Sequence, residues 1–384
     1  MKAVVFHKPK DVRVEEWDDP TIQDARDAII RVTSTCICGS DLHIYNGLLP
    51  QLKKMVLGHE FMGVVEEVGE GVSDLKSGDR VVVPFPVADG TCWFCQHGMP
   101  THCENSNRMY GPEGGVLKGK GAGLFGYTDL YGGHDGGQAE RVRVPFADHG
   151  PRKIPSTLKD EQAVLLTDVL PTAWWANEWA DVKPGSSVAI FGAGPVGAMS
   201  ARIASLRGAD RVIVVDPQDY RLALVRRLTG ATTVNPDEED PVEFIRGLTD
   251  GRGADCTIDA VGMEADRSIV EKAANLVHLQ RGSMKVLSRC FDAVRRGGSV
   301  GVVGIYGTPM DNFPLSQLVD KGLKVQGGQA YVHEIIDRLL ADVVAGKLRG
   351  DDLFTHTFAL EEAPYAYSIF NKKEEGCVKV LLKP

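Results

Sequence analysis

The stretch SSVAIFGAGPVGAMSARIASLRG, residues 186–208, restricts the possible folds of this chain more than any other. A run of apolar β-type residues ends at Gly192, helix formers begin at Pro195, and Gly208 stops them. Gly192-Ala193-Gly194-Pro195-Val196-Gly197 thus joins a strand to a helix. Gly192 permits a tight turn, Gly194 lets the backbone approach a pyrophosphate, and Gly197 lets helix and strand pack closely. The free N–H groups of the helix N-terminus, Pro195 and Val196 onward, then face the anion. The rhythm continues with RVIVVD, DYRLALVRRLTG, ATTVN, VEFIRGLTDG and DCTIDAVG, followed after a longer helical piece by SVGVVG and LKVQGG. Strands alternating with helices predict a parallel sheet covered on both faces, an α/β doubly wound domain.

Asp216 closes the second strand of this series, 24 positions after Gly192. A carboxylate there hydrogen-bonds both ribose hydroxyls and repels a 2′-phosphate, which selects NAD over NADP. Arg221 lies one helical turn further on. It either runs along the adenosine and its phosphates or is a solvated helix charge; stacked towards a 2′-phosphate it would readmit NADP. The plain alternative for the glycines is a tight turn with no ligand.

The first third has a different grammar. KAVVF, DAIIRVTS, GVVEEVG and DRVVVPF are short β-type runs separated by Gly, Pro and Asp, and they predict a β-rich, barrel-like or partly open domain. Gly111 to Gly137 reads as irregular loop, too long for a simple connector. From about Tyr331 the chain returns to a helix (VHEIIDRLLADVVAG) and a last strand (CVKVLL), expected to pack back on the first domain. With 384 residues there is room for two domains: 1–157 with 330–384, and 158–329. The net charge of −9 disfavours nonspecific binding of nucleic acid or anionic membranes. No apolar run approaches the roughly 18–20 residues of a membrane span, and the four-residue apolar stretch at the N-terminus is too short for a signal peptide. The expected compartment is the cytoplasm, where thiols stay reduced, so the eight cysteines read as ligands or buried apolar groups.

Two groups of residues have metal-ligand chemistry. Cys38-Gly39-Ser40-Asp41-Leu42-His43 is followed, twenty-one residues after Cys38, by His59 within Gly58-His59-Glu60. Thiolate and imidazole are ordinary zinc ligands, and a catalytic zinc needs three protein ligands and one open position. The second group is Asp89, Cys92, Cys95 and Cys103, a lobe at about 88–105 that reads as a structural zinc site with Asp in the first place. His97 and His102 are rivals for the fourth ligand, and a metal-free loop is the plain alternative.

Together, these motifs in this order resemble the zinc-containing medium-chain dehydrogenase/reductase family, best known for its alcohol dehydrogenases, over nearly the whole chain. The resemblance implies a β-rich GroES-like catalytic domain beside a Rossmann NAD-binding domain. It places the third catalytic zinc ligand in Leu165-Leu166-Thr167-Asp168-Val169-Leu170-Pro171-Thr172, with Thr172 on the cofactor. Many alcohol dehydrogenases carry Cys where this chain has Asp168. That departure resembles the branch with glutathione-independent formaldehyde dehydrogenase and aldehyde dismutase, as do GYTDLYGGHDGGQAE and TDVLPTAWW. Carboxylate and thiolate carry the same charge, but carboxylate donates less electron density, so the zinc should be the stronger Lewis acid.

The implied reaction oxidises a small primary alcohol or hydrated aldehyde with NAD. Zinc would lower the pKa of the substrate oxygen. Ser40 would take its proton, which would pass through the cofactor ribose to His43 and out to water. Asp41 would orient His59 through its other ring nitrogen, and Glu60 would stand behind the ligands. Phe85 and Trp175 are pocket walls or core. Between Val261-Gly262 and SVGVVG lies a segment of over thirty residues. In the formaldehyde dehydrogenase branch an insertion here covers the cofactor, which would slow NAD release and favour dismutation; the alternative is a surface insertion or a subunit contact. A polyol or other secondary-alcohol dehydrogenase, and a zinc-stabilised NAD-binding protein without activity, are the competing functions. A homodimer or homotetramer is the family habit.

Overall fold

The computed structural model describes residues 1–51, 53–107, 121–264, 284–306 and 313–384. Residues 111–120 of the glycine-rich stretch and 265–283 of the segment before SVGVVG lie outside the described residues, and so does the expectation of a cofactor-covering insertion. The chain divides into two compact units, Met1–Pro171 with Tyr331–Pro384, and Thr172–Ala330. No described helix is long and apolar enough to cross a membrane.

In the second unit the described strands form one parallel sheet. Its order is Thr232–Val234, Arg211–Val215, Ser187–Phe191, Ala254–Asp259, Val294–Val302, Lys324–Gly327. The order reverses beside Ser187–Phe191, the doubly wound arrangement whose switch point opens a crevice at the carboxyl ends of the strands. The apolar runs VAIF and VIVV are buried, as a sheet covered on both faces requires. They meet Ile245, Leu287, Phe291 and Val300 in one core.

The first unit is built on a mixed sheet. Ala28–Ile37 pairs antiparallel with Phe61–Val68, with Arg141–Val144 and, at its far end, with Val380–Lys383. The C-terminal tail thus completes the sheet at the end that leads into Cys38. Ile30, Phe61, Val65, Val81, Phe125 and Val142 form the core beneath it, with Phe61 and Phe125 edge-to-face at 5.2 Å. The glycine-rich stretch is not wholly irregular: Gly123–Leu124 pairs with Pro86–Val87, and Asp129–Tyr131 forms a 3-10 turn capped by Thr128.

The division between the units falls at Pro171, further along than the expected residue 157. The reason is the 3-10 turn Val164–Thr167, whose four residues are buried against the strands of the first unit. The Phe85 N–H donates to the Thr167 carbonyl at 3.1 Å, so the segment carrying Asp168 is held by the β-rich unit.

Candidate metal and cofactor sites

Three separate local structures deliver the candidate catalytic ligands. Cys38 leaves the strand Ala28–Ile37, His59 lies between Met55–Val56 and Phe61–Val68, and Asp168 lies between Val164–Thr167 and the helix Val169–Trp179. Ligand atoms of Cys38, His59, Glu60 and Asp168 all lie within 4.8 Å of one another. Asp168 Oδ2 is 3.6 Å from Cys38 Sγ and 3.4 Å from His59 Nε2. The other ring nitrogen of His59, Nδ1, is 3.1 Å from Asp41 Oδ1, while Asp41 Oδ2 accepts from the Cys38 N–H at 2.9 Å. Asp41 therefore ties two of the candidate ligands to one carboxylate.

Burial pushes the Cys38 thiol up to about 11, and the Glu60 and Asp168 carboxylates push the same way. Burial opposes a charge on His59, but Asp41 and Cys38 outweigh it and hold its pKa well above the ordinary range. Glu60 Oε2 is buried with no partner among the described residues. A buried group of one thiol, one imidazole and two carboxylates, one with an orphaned oxygen, fits a divalent cation. The mixed S, N and O donors suit zinc, which binds thiolate and so displaces the Cys38 proton.

Ser40 stands at the start of the helix Asp41–Tyr45, but its hydroxyl makes no cap. It lies 3.2 Å from His59 Nε2, on the ligand side of the ring. His43, in the same helix, is buried at 4% exposure, so it has no simple surface position. Burial holds its pKa down at about 4; Asp41 pulls it up and His59 pushes it further down. Phe85 packs edge-on against His59 at 6.1 Å. Trp175 belongs to the second unit, tilted against Trp179 at 5.8 Å.

Glu60 is tied further than its motif suggested. Its Oε1 accepts from Lys379 Nζ at 2.6 Å, and both side chains are wholly buried. Lys379 also donates to the Ile37 carbonyl at 3.1 Å. Gln138 donates to Asp41 Oδ2 at 3.3 Å and accepts from the Tyr367 hydroxyl at 2.8 Å. Lys379, Gln138 and Tyr127, which lies edge-on to His59 at 6.2 Å, were not singled out by sequence reasoning. Tyr127 and Gln138 do lie in the GYTDLYGGHDGGQAE stretch that carried the resemblance; Lys379 has no local signal.

The second group converges as well: ligand atoms of Asp89, Cys92, Cys95 and Cys103 lie within 4.8 Å of one another, all buried. Asp89 accepts from the Thr91 and Cys92 N–H groups, the Thr91 hydroxyl, Asn105 and the Cys103 thiol. Burial opposes its charge, but these donors hold its carboxyl well below the ordinary range. The Cys103 thiol is pulled down to about 6, first by its hydrogen bond with Cys95. Three thiols and a carboxylate brought together in one small buried volume match a structural zinc. The rival ligands go elsewhere: His97 stacks on Trp93 at 4.0 Å, and His102 meets Tyr331.

In the second unit Gly192 follows Phe191 with φ 105°, the left-handed region that favours glycine. A Cβ on Gly197 would stand 1.9 Å from the Gly192 carbonyl, so helix and turn touch backbone to backbone. A Cβ on Gly194 would meet nothing within 4 Å, which leaves open space at the N-terminus of the helix Pro195–Leu206 for a phosphate. Pro195 takes the first helical position, and Val196 and Gly197 follow in the first turn. Asp216 accepts from the Ala193 N–H and the Gln218 N–H, both at 2.8 Å, so its carboxylate is anchored to the glycine turn itself. Arg221 Nη1 lies 3.9 Å from Asp216, and its Nε is buried with no partner among the described residues. These residues fit a dinucleotide with its ribose at Asp216. Thr172, on Val169–Trp179, begins this unit.

Residues 24–153 match the family model of the alcohol dehydrogenase GroES-like domain, and residues 195–280 that of the zinc-binding dehydrogenases. The chain is 40% identical over 388 residues to an uncharacterized zinc-type alcohol dehydrogenase-like protein, AdhB, of Bacillus subtilis, with 100% of both chains covered. It is 34% identical to a formaldehyde dismutase of Pseudomonas putida, covering 97% of this chain and 95% of that one. Among solved structures, alcohol dehydrogenase TADH from Thermus sp. ATN1 matches with a TM-score of 0.85 and 38% identity, over 100% of this chain and 99% of that one.

Proposed function

We propose, for a chain that belongs to the zinc-containing medium-chain alcohol dehydrogenase family, that this oxidoreductase transfers hydride between a small primary alcohol or hydrated aldehyde and NAD. The observation that carries the reading is the convergence of Cys38, His59 and Asp168, three unlike donors from three separate loops, on one small volume. A zinc ion held there supplies Lewis acidity to the substrate oxygen, and NAD held at the glycine turn and Asp216 supplies the hydride acceptor.

The chain's own residues do the rest. Asp41 fixes the His59 ring so that Nε2 faces Cys38 and Asp168. Ser40 accepts the substrate proton, being within 3.2 Å of the same nitrogen. His43, held neutral by burial, is a base able to take that proton on. Phe85 and Tyr127 flank His59 edge-on and keep water from the reacting carbon. Asp216 selects NAD over NADP, and Asp89, Cys92, Cys95 and Cys103 hold a structural zinc.

The choice of a small primary alcohol or aldehyde rests on Asp168 and on the 34% likeness to a formaldehyde dismutase. That relative also supports a second reading, in which NAD stays bound and one aldehyde reoxidises the cofactor reduced by another. The compartment is the cytoplasm, where the cysteines stay reduced and serve as ligands or buried apolar groups. The exposed edge strand Lys324–Gly327 suits a homodimer or homotetramer.

A panel of formaldehyde, short primary alcohols, aromatic alcohols and polyols with NAD and NADP tests the reading, together with zinc analysis of Cys38→Ala. Turnover confined to polyols, or to NADP, would replace the substrate or cofactor; activity in metal-free protein would end the proposal. NAD released on denaturing purified protein, with formaldehyde converted to methanol and formate in equal amounts, would select the dismutase reading.

A further inference from the structure

Tyr127 stands among aromatic rings, Phe85 and Tyr131 with Phe125 and Phe61 behind, and its hydroxyl lies beside His43. Phe125 packs edge-to-face on Phe61, and a Cβ on Gly126 would lie 2.4 Å from the Gly58 nitrogen. The turn before Tyr127 is thus pressed, backbone on backbone, against the turn before His59. That contact sets the Tyr127 ring edge-on to His59 on one side, with Tyr131 closing on it at 5.3 Å. Tyr127 is 4% exposed, and its hydroxyl lies 3.5 Å from His43 Nδ1. A phenylalanine would fill the same wall, so packing alone gives no reason for the oxygen.

We propose that Tyr127 is a positioning residue for His43: its hydroxyl accepts the Nδ1–H, which leaves the lone pair on Nε2 and makes Nε2 the nitrogen that takes up the substrate's proton. This rests on the dehydrogenase reading above, in which His43 receives that proton. The donor's O–H bond breaks, an N–H bond forms at Nε2, and the proton leaves from there to water; no bond is made or broken at Tyr127. The physical gain is in the charged state. Burial, with His59 nearby, disfavours an imidazolium at His43, while Asp41 favours it. A hydrogen bond from a charged donor is roughly twice as strong as a neutral one, so the phenol oxygen stabilises the protonated ring more than the neutral ring. Losing it should slow proton uptake roughly tenfold, the worth of one hydrogen bond to a charged group.

The test uses the zinc-loaded full-length enzyme with the best alcohol of the panel and NAD. Tyr127→Phe should lower kcat roughly tenfold and raise the solvent deuterium isotope effect, with KM for NAD, zinc content and melting temperature unchanged. On a His43→Gln background it should cost nothing more. Independently of turnover, ring ¹⁵N spectra of ¹⁵N-histidine-labelled protein, with His43 assigned by its loss in His43→Gln, should show the neutral Nδ1–H tautomer in the wild type and a change of tautomer in Tyr127→Phe. An Nε2–H tautomer in the wild type overturns the proposal without any variant. So does an equal loss of rate from Tyr127→Phe with and without His43. If His43→Gln is harmless, the proton route through His43 fails and takes this proposal with it. If only Tyr127→Phe is harmless, this proposal fails alone.

Discussion

Replacing Lys379 with methionine should destabilise the first unit by about 3–5 kcal/mol, the cost of leaving one partner of a buried ion pair uncompensated. Lys379 and Glu60 are both wholly buried, with Nζ 2.6 Å from Oε1. The second carboxylate oxygen has no hydrogen-bond partner among the described residues, so no second hydrogen bond replaces the one lost. Burial raises the Glu60 carboxyl above the ordinary range, and Lys379 restrains that rise. Methionine keeps the unbranched stem, so little of the loss comes from a cavity. For a unit of this size each kcal/mol moves the melting point by about 2–4 °C, which gives a fall of roughly 6–20 °C. Urea unfolding at pH 7 with zinc present measures the free energy, and calorimetry the temperature. Lys379→Met with Glu60→Gln should recover most of the loss, because the charge and its counter-charge then leave together. A Lys379→Met protein within about 1 kcal/mol of wild type would refute the reasoning, since a buried pair whose removal costs that little behaves like an exposed one.

Gly197→Ala should weaken NAD binding tenfold or more and cost about 1–3 kcal/mol of stability, because its Cβ would stand 1.9 Å from the Gly192 carbonyl; titration calorimetry with NAD reads the first effect. His333 is buried with both ring nitrogens lacking partners among the described residues, and burial, then His149 and Arg152, holds its pKa well below 6.5. The unfolded chain takes up a proton there that the folded chain refuses. This group alone should therefore cost up to about 1.4 kcal/mol of stability per pH unit as the pH drops below about 6.5, and His333→Leu should remove that share of the slope and leave the shares of His43, His102 and His149, which burial also holds down. Cys103→Ser should lower the metal content from about two to about one zinc per chain and leave NAD affinity unchanged, as measured by atomic emission and calorimetry; retention of both ions would remove the cysteine lobe as a zinc site.

Much of the second unit was legible in the sequence because its signals are local. The strand into Gly192, the positive φ there, and Pro195 at the first helical position depend on neighbours within a few residues. The same holds for the cysteine lobe, where four ligands fall within fifteen residues of chain. Asp216 was legible as a residue, but not its bond to the Ala193 N–H, which requires two adjacent parallel strands in register. The reach of the first unit to Pro171 was also hidden, because it is set by how Val164–Thr167 packs and not by any break in composition.

What the sequence alone determined is the chemistry at hand: a turn that admits phosphates, a set of thiol, imidazole and carboxylate groups, and an acid where other chains carry cysteine. Folding decided how those groups are charged and held. Glu60 and Lys379 lie 319 residues apart and meet only because the last strand closes against Thr35–Ile37. Gln138 joins Asp41 to Tyr367, and Tyr127 reaches His43, through contacts between residues 84 to 229 positions apart. The reason is that charge pairing and pKa depend on the loss of water around a group, and that loss exists only once distant segments have packed together.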